Sequence, residues 1–429
     1  MQKVIIMEYN IVDFGAHIGD LLQTNAIQKA IDTCFLNGGG KVIIPEGIFR
    51  TGGLRLRSNV TLYLKSGAFL IGSDNPEDYT DYINDKLEPL YFDEEEQERR
   101  GRSAYPLSRW CNAIIRAVNA KNIAVIGEKY SYIDGVNCYD ESGEEKYRGP
   151  HIMSIWDCED IKLEGFTLKD SANWSMAIFN SKNISAKNIT VYAGHDGIDF
   201  RTCDNVLVEN CKFYTGDDPV AGFDNHDVIV RDCVINTACN GLRFGGNNVL
   251  FENIKAFGPS NFAFRGSLSD EKKKSGAMTD ETCRRNFANF FTYYCDNRAK
   301  IRKTPENITI KNCDIDNVDN LFKLDFGVLW CTNRSLSEIT FKDCKVKNIS
   351  KNMLIKGDEK EKLSITLENI SISAKEGFED INFIEAENFE KIVLKNVKFE
   401  NFNKVKIVAK TKGEIIVENS GNVEIEEQY

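Results

Sequence analysis

A strand-like unit returns along most of this chain, every 21 to 23 residues from Asp160 to Asn248, and no other feature limits the fold as tightly. Each copy opens on Asn or Asp and runs through an alternating apolar segment. It then often reaches Asn-Cys or Asn-Ile before a second short apolar run. Copies begin at Asn59, Asn122, Asp160, Asn183, Asn205, Asp227 and Asn248, and from Asp160 the steps are 23, 22, 22 and 21 residues. After a gap, further copies begin at Asn307, Glu338, Leu363, Lys391 and Glu414. A near-constant period with Val- and Ile-rich strands and one polar Asn per turn predicts stacked coils, an all-β parallel β-helix. Leucine-rich repeats share the period, but their Leu-x-x-Leu-x-Leu spine and regular helix are missing. A sandwich of evenly spaced strands does not hold so constant a period.

The repeat assigns residues 1–429 to one solenoid domain, with 9–58 as N-terminal cap and first coil. Thr24 to Leu36 places Ala26, Ile27, Ala30, Ile31, Cys34 and Phe35 on one helical face, with Thr24 as N-cap and Gly38 to Gly40 as the stop. Such a short helix covers the apolar end that a first coil otherwise exposes. Three stretches break the rhythm, at about 81–110, 134–150 and 266–305. In a solenoid, insertions become loops on one face, and at least one of these is expected to wall a cleft. The last coils are Lys/Glu-rich and carry no chemical signal.

Cys211, Cys233, Cys313 and Cys344 each follow Asn or Asp at the same repeat position, which predicts a core ladder of reduced thiols. No CxxC pair or Cys/His spacing points to zinc, so neither metal nor cofactor is expected. With 54 basic and 65 acidic residues the formal charge is −11, which argues against nucleic acid or an anionic membrane as partner. No run approaches the roughly 20 apolar residues of a membrane-spanning helix. The start, MQKVIIMEYNIVDFGA, has too short an apolar run for a signal-peptide core, so a cytoplasmic protein is expected. Oligomeric state is open.

Two acidic clusters lie in register across one coil. One is His195-Asp196-Gly197-Ile198-Asp199, the other Gly216-Asp217-Asp218, and Asp196 precedes Asp217 by 21 residues and Asp218 by 22. Parallel strands stack about 4.8 Å apart, so residues one period apart fall into columns. One column reads Trp174, Asp196, Asp217/Asp218, Asn240 and Arg265. Asp-Gly and Gly-Asp-Asp are also turn sequences, and turns of this kind bind calcium. Two clusters in register point instead to catalysis. Neighbouring carboxylates repel, so one retains a proton while the other stays ionised, the division of labour that glycoside hydrolysis uses.

The sequence also resembles glycoside hydrolase family 28, the polygalacturonase family. The opening YNIVDFGA, then GGGKVIIPEG and SNVTLYLKSGAFLIGS, look like its start. DSANW, HDGID and GDDPVA are similar to its Ser-Pro-x-Trp, Asn-Thr-Asp-Gly and Gly-Asp-Asp motifs. The resemblance implies a right-handed β-helix and an inverting hydrolase. By motif match, Asp217 takes the general-acid position, Asp196 and Asp218 activate water, and Asp199 is a supporting carboxylate.

The departures concern the surroundings. Asn240 stands where the family has the His of Gly-His-Gly, Pro219 replaces a Cys, and His195 replaces the Thr of Asn-Thr-Asp. The family's Arg-Ile-Lys is matched only by Phe264-Arg265-Gly266, with no counterpart for the Lys. Arg243 is a candidate replacement cation for a substrate carboxylate, Arg201 a second of the same kind. His195, Trp174 and His151 are candidate substrate contacts, against the alternatives of a structural His and a core Trp. The reading is an exo-acting hydrolase of pectin-derived oligosaccharides. A polysaccharide lyase on the same fold and a non-catalytic carbohydrate-binding β-helix are the alternatives.

Overall fold

A computed structural model describes residues 7–79, 110–144, 147–262, 286–296, 300–328 and 330–429. The fold is a right-handed parallel β-helix. The chain forms two compact units. One comprises Met1–Asp199, Cys203–Leu207 and Arg265–Thr279, the other Phe200–Thr202, Val208–Phe264 and Asp280–Tyr429.

In the first unit each coil contributes three strands. One coil is His151–Trp156, Glu159–Glu164 and Thr167–Lys169, and the next is Met176–Phe179, Lys182–Lys187 and Thr190–Ala193. They pair in parallel, with Met153 opposite Met176, Ile161 opposite Ile184 and Leu168 opposite Val191. Strand alternation sends Ile123, Ile161 and Ile184 inward as one buried column. It sends Lys121, Glu159 and Lys182 outward, where Glu159 pairs with Lys121 at 2.9 Å and Lys182 at 3.2 Å. Exposed pairs contribute about 0–1 kcal/mol each, whereas each buried Ile contributes about 1.5–3 kcal/mol, so the inner column decides the stacking.

The residue that opens each copy has a structural job. Asn59, Asn122, Asp160, Asn183 and Asn205 all hold left-handed backbone, at φ 52 to 62°. Asn and Asp tolerate that conformation better than other residues with a Cβ. Their side chains also link successive coils, Asn122 donating to Asn59 at 3.1 Å, Asn183 to Asp160 at 2.8 Å and Asn205 to Asn183 at 2.9 Å.

The helix Thr24–Leu36 buries Ile27, Ala30, Ile31 and Cys34 against the first coil, whereas Ala26 is only half-buried and Phe35, expected on the same face, is exposed. Thr24 is not its N-cap. Gln23 holds that position without a side-chain cap, and the Thr24 hydroxyl accepts from Gly52 N at 2.8 Å instead. Beyond the helix, Gly39 sits at φ +107°, and a Cβ there would lie 2.4 Å from the Asn59 carbonyl oxygen.

In the second unit the long strands Val220–Arg231 and Asn240–Glu252 each bend through two faces. The next coil divides between Phe287–Tyr293, which pairs with residues 240–244, and Glu306–Lys311, which pairs with 247–252. The 266–305 stretch is therefore not one loop. Phe287–Tyr293 is a coil strand because Phe287, Phe290, Phe291 and Tyr293 supply buried side chains. Likewise 134–150 contains the strand Tyr139–Glu144, bridged antiparallel to Arg148. Of 81–110, only Trp110 lies among the described residues. The later copies share one ladder, Ile308, Ile339, Ile365, Ile392 and Ile415. Inside it Phe251, Phe291, Phe322 and Phe341 follow one another at 5.9 to 6.1 Å between ring centroids, Phe291 stacked on Phe322 and the outer pairs edge-on. Cys211, Cys233, Cys313 and Cys344 are buried, reduced thiols. The hydrogen bond with Cys211 and burial push the Cys233 thiol well up, so it packs as a neutral group.

Candidate active site

In the first unit His195 and Asp196 occupy the turn between Thr190–Ala193 and Ile198–Arg201. The Asp196 carbonyl accepts from Ser175 N at 2.8 Å, and that of Gly197 from Met176 N at 3.0 Å. Trp174 and Asp196 thus sit on successive coils, as their 22-residue interval requires. His195 is fully buried, with its ring stacked on Tyr147 at 6.2 Å. Tyr147 and Arg148 come from the 134–150 insertion, and Arg148 Nη1 donates to Asn173 Oδ1 at 3.1 Å. That insertion thus meets His195, the neighbour of Asp196 in sequence, and Asn173. Asp199 has no exposed surface and Asp196 has 2 %.

His151 and Trp174 belong to an aromatic cluster. The Trp110 ring lies 4.8 Å from His151, 5.1 Å from Trp174 and 5.6 Å from Phe179, in part edge-on. His151 does not reach out from a loop. It opens the strand His151–Trp156, has no exposed surface, and its Nδ1 meets the Trp174 carbonyl at 3.2 Å. Burial pushes its pKa down to about 4, so the ring is neutral. Trp174 keeps 8 % exposure, and most of its face is spent on the cluster.

In the second unit, Asp217 and Asp218 lie between Lys212–Thr215 and Val220–Arg231. Two threonine hydroxyls fix the turn, Thr215 and Thr237 donating to the Asp217 carbonyl at 2.6 and 2.7 Å. The Asp218 N–H donates to Asp217 Oδ1 at 3.2 Å. Asp218 Oδ1 accepts from Asn240 N at 3.1 Å and Asn240 Nδ2 at 2.8 Å, and its Oδ2 accepts from Arg243 Nη1 at 3.0 Å. Asn240 is braced in turn, its Oδ1 accepting from Asn289 at 2.7 Å and Thr292 at 3.0 Å. Gly222 permits the close packing here, since a Cβ would lie 1.9 Å from the Phe200 carbonyl oxygen.

Arg243 is not an outward-facing cation. It lies 3.9 Å from the Tyr294 ring centroid and 5.0 Å from that of Trp330, and its Nη1 pairs with Asp218 Oδ2 at 3.0 Å. Arg201 approaches Phe223 at 5.5 Å and Tyr294 at 5.8 Å. The column continues differently from the sequence arithmetic. The residue paired with Asn240 on the next coil is Asn289, and Arg265 lies outside the described residues. The 22-residue step fails there because the insertion intervenes before the next strand. Tyr294, Trp330, Asn289 and Thr292 escaped the sequence reading as site residues. The aromatic-rich stretch from Phe287 to Tyr294 was the one signal for Asn289, Thr292 and Tyr294, and nothing in the sequence pointed to Trp330.

Among the described residues, Asp217, Asp218 and Cys239 bring one donor atom each within 4.8 Å of one another. Burial and the two carboxylates push the Cys239 thiol well up. A protonated thiol suits hydrogen bonding, whereas a metal takes the thiolate.

Comparison with known proteins bears out the family resemblance. Residues 100–245 match the family described as glycosyl hydrolases family 28. A probable polygalacturonase of Vitis vinifera is 30 % identical over 236 residues, covering 51 % of this chain and 45 % of that protein. The exo-poly-alpha-D-galacturonosidase of Dickeya chrysanthemi is 27 % identical over 248 residues, covering 49 % and 41 %. The matched stretch thus spans less than half of each relative. The family 28 exopolygalacturonase of Yersinia enterocolitica superposes with a TM-score of 0.63 at 18 % identity, over 96 % of this chain and 78 % of that one, a likeness of fold.

Proposed function

From the family 28 match of residues 100–245, we propose that this chain is an inverting glycoside hydrolase, exo-acting on pectin-derived oligosaccharides. The observation that carries the reading is the adjacent pair Asp217 and Asp218 in unlike settings. Asp218 takes three donors, one of them a guanidinium, and is 1 % exposed. Asp217 receives the N–H of its neighbour and is 9 % exposed. Carboxylates in unlike environments can divide acid and base work. In this reading Asp217 protonates the glycosidic oxygen as the leaving group departs. Asp196 and Asp218 orient and deprotonate a water that attacks the anomeric carbon from the other face, so the configuration inverts. Exo-action draws support from the Dickeya chrysanthemi relative's name.

The test is turnover of galacturonide oligomers, with the product anomer followed by NMR. An inverted anomer and shortening from one end are expected. Random mid-chain cutting would remove the exo part, and unsaturated products absorbing in the ultraviolet would replace hydrolysis by elimination. Asp217→Asn is expected to lower kcat by about 10²- to 10⁴-fold with the fold intact. Near-normal turnover in that variant would remove Asp217 as the acid.

A further inference from the structure

We infer that Arg243 is a positioning residue: it acts through Asp218, holding that carboxylate in its working orientation, and does not itself bind the substrate's acid group. The inference rests on the hydrolytic reading of Asp218. A carboxylate has about four lone-pair positions. Asn240 fills both on Oδ1 through its backbone and side-chain nitrogens, and Arg243 fills one on Oδ2. Asn240 and Arg243 thus orient Asp218, with the Cys239 thiol hydrogen-bonded at the same carboxylate.

Arg243 is itself held from a second side. Its guanidinium lies against the Tyr294 ring at 3.9 Å with Trp330 at 5.0 Å, and its side chain is 13 % exposed. A guanidinium fits such a slot because it is planar, hydrates weakly and stacks on aromatic faces. The coil below continues the support: Arg243 pairs in register with Thr292, whose hydroxyl donates to Asn240. Tyr294 and Trp330 thus fix Arg243, Thr292 and Asn289 fix Asn240, and both fix Asp218. Its Nη1 donates to Asp218 Oδ2 at 3.0 Å while its face lies against Tyr294, so both its charge and its plane are engaged by the protein.

The experiment compares Arg243→Ala, Arg243→Lys and the double variant Arg243→Ala/Asp218→Asn with wild type. On acidic oligogalacturonides Arg243→Ala is expected to lose about 100-fold in kcat, as for a misplaced catalytic group. KM should stay within about threefold, since no ground-state contact is lost. Arg243→Lys should recover part of kcat, and added guanidinium should partly rescue Arg243→Ala, because the slot between Tyr294 and Asp218 is vacated without being filled. A rise in KM at unchanged kcat, confined to acidic substrates, would overturn the inference and make Arg243 a substrate contact. Thermal unfolding supplies an arm that needs no turnover. Arg243→Ala leaves Asp218 as a buried uncompensated charge and should lower Tm, and adding Asp218→Asn should restore most of the loss. A double variant as unstable as Arg243→Ala alone would also overturn the pairing. If wild type cleaves no oligosaccharide, the functional reading falls while the unfolding arm still decides whether Arg243 works through Asp218.

Discussion

His151 gives the sharpest test of the buried architecture, because its ring is neutral in the folded protein where an unfolded chain would be charged. Burial against Trp110 and Trp174 lowers its pKa from 6.5 to about 4. The folded value lies below the unfolded one, so the stabilising contribution is complete above about pH 6.5 and is lost as pH falls toward 4. At pH 5 an unfolded chain carries this proton on nearly every molecule and the folded one on about a tenth, which amounts to about 2 kcal/mol lost relative to neutral pH. His151→Phe removes the titration while keeping an aromatic ring in the cluster. The Trp174 carbonyl retains the Ser171 hydroxyl at 3.0 Å, so the variant should unfold within about 1 kcal/mol of wild type at pH 7.5. The assay is urea unfolding at pH 7.5 and 5, followed by tryptophan fluorescence, since Trp110, Trp156 and Trp174 all report from this cluster. Wild type should lose about 2 kcal/mol more than His151→Phe on acidification. Parallel pH dependence in the two proteins would refute the argument.

Two further substitutions probe the coils. Phe291→Ala opens the middle of the Phe251, Phe291, Phe322 row and should cost about 3–5 kcal/mol, read as a lower denaturant midpoint. Asn248 sits at φ 59°, donates to Asp227 at 2.5 Å and accepts from Asn307 at 3.1 Å. Asn248→Ala should cost about 2 kcal/mol, and Asn248→Gly about 1 kcal/mol less because glycine adopts that backbone freely. Equal midpoints for the two variants would mean that the left-handed corner carries no cost.

What the sequence determined by itself follows from its period. Stacked coils of equal length place Trp174 beside Asp196 and align Ile123, Ile161 and Ile184, because hydrogen-bonded parallel strands leave one register for a given repeat. The Asn at each corner and the helix Thr24–Leu36 were equally legible, since both are local demands of backbone conformation and amphipathic spacing. Tertiary structure decided the rest. An insertion of arbitrary length separates Asn240 from its next neighbour, so only the strand pairing identifies Asn289. Thr24 met a competing donor from Gly52, 28 residues away, and His151 turned inward because a cluster of distant aromatic rings receives it. Arg243 is the clearest case. Its charge was evident in the sequence, but whether it faces solvent, substrate or Asp218 depends on side chains that converge from three coils, and no spacing rule encodes a direction in space.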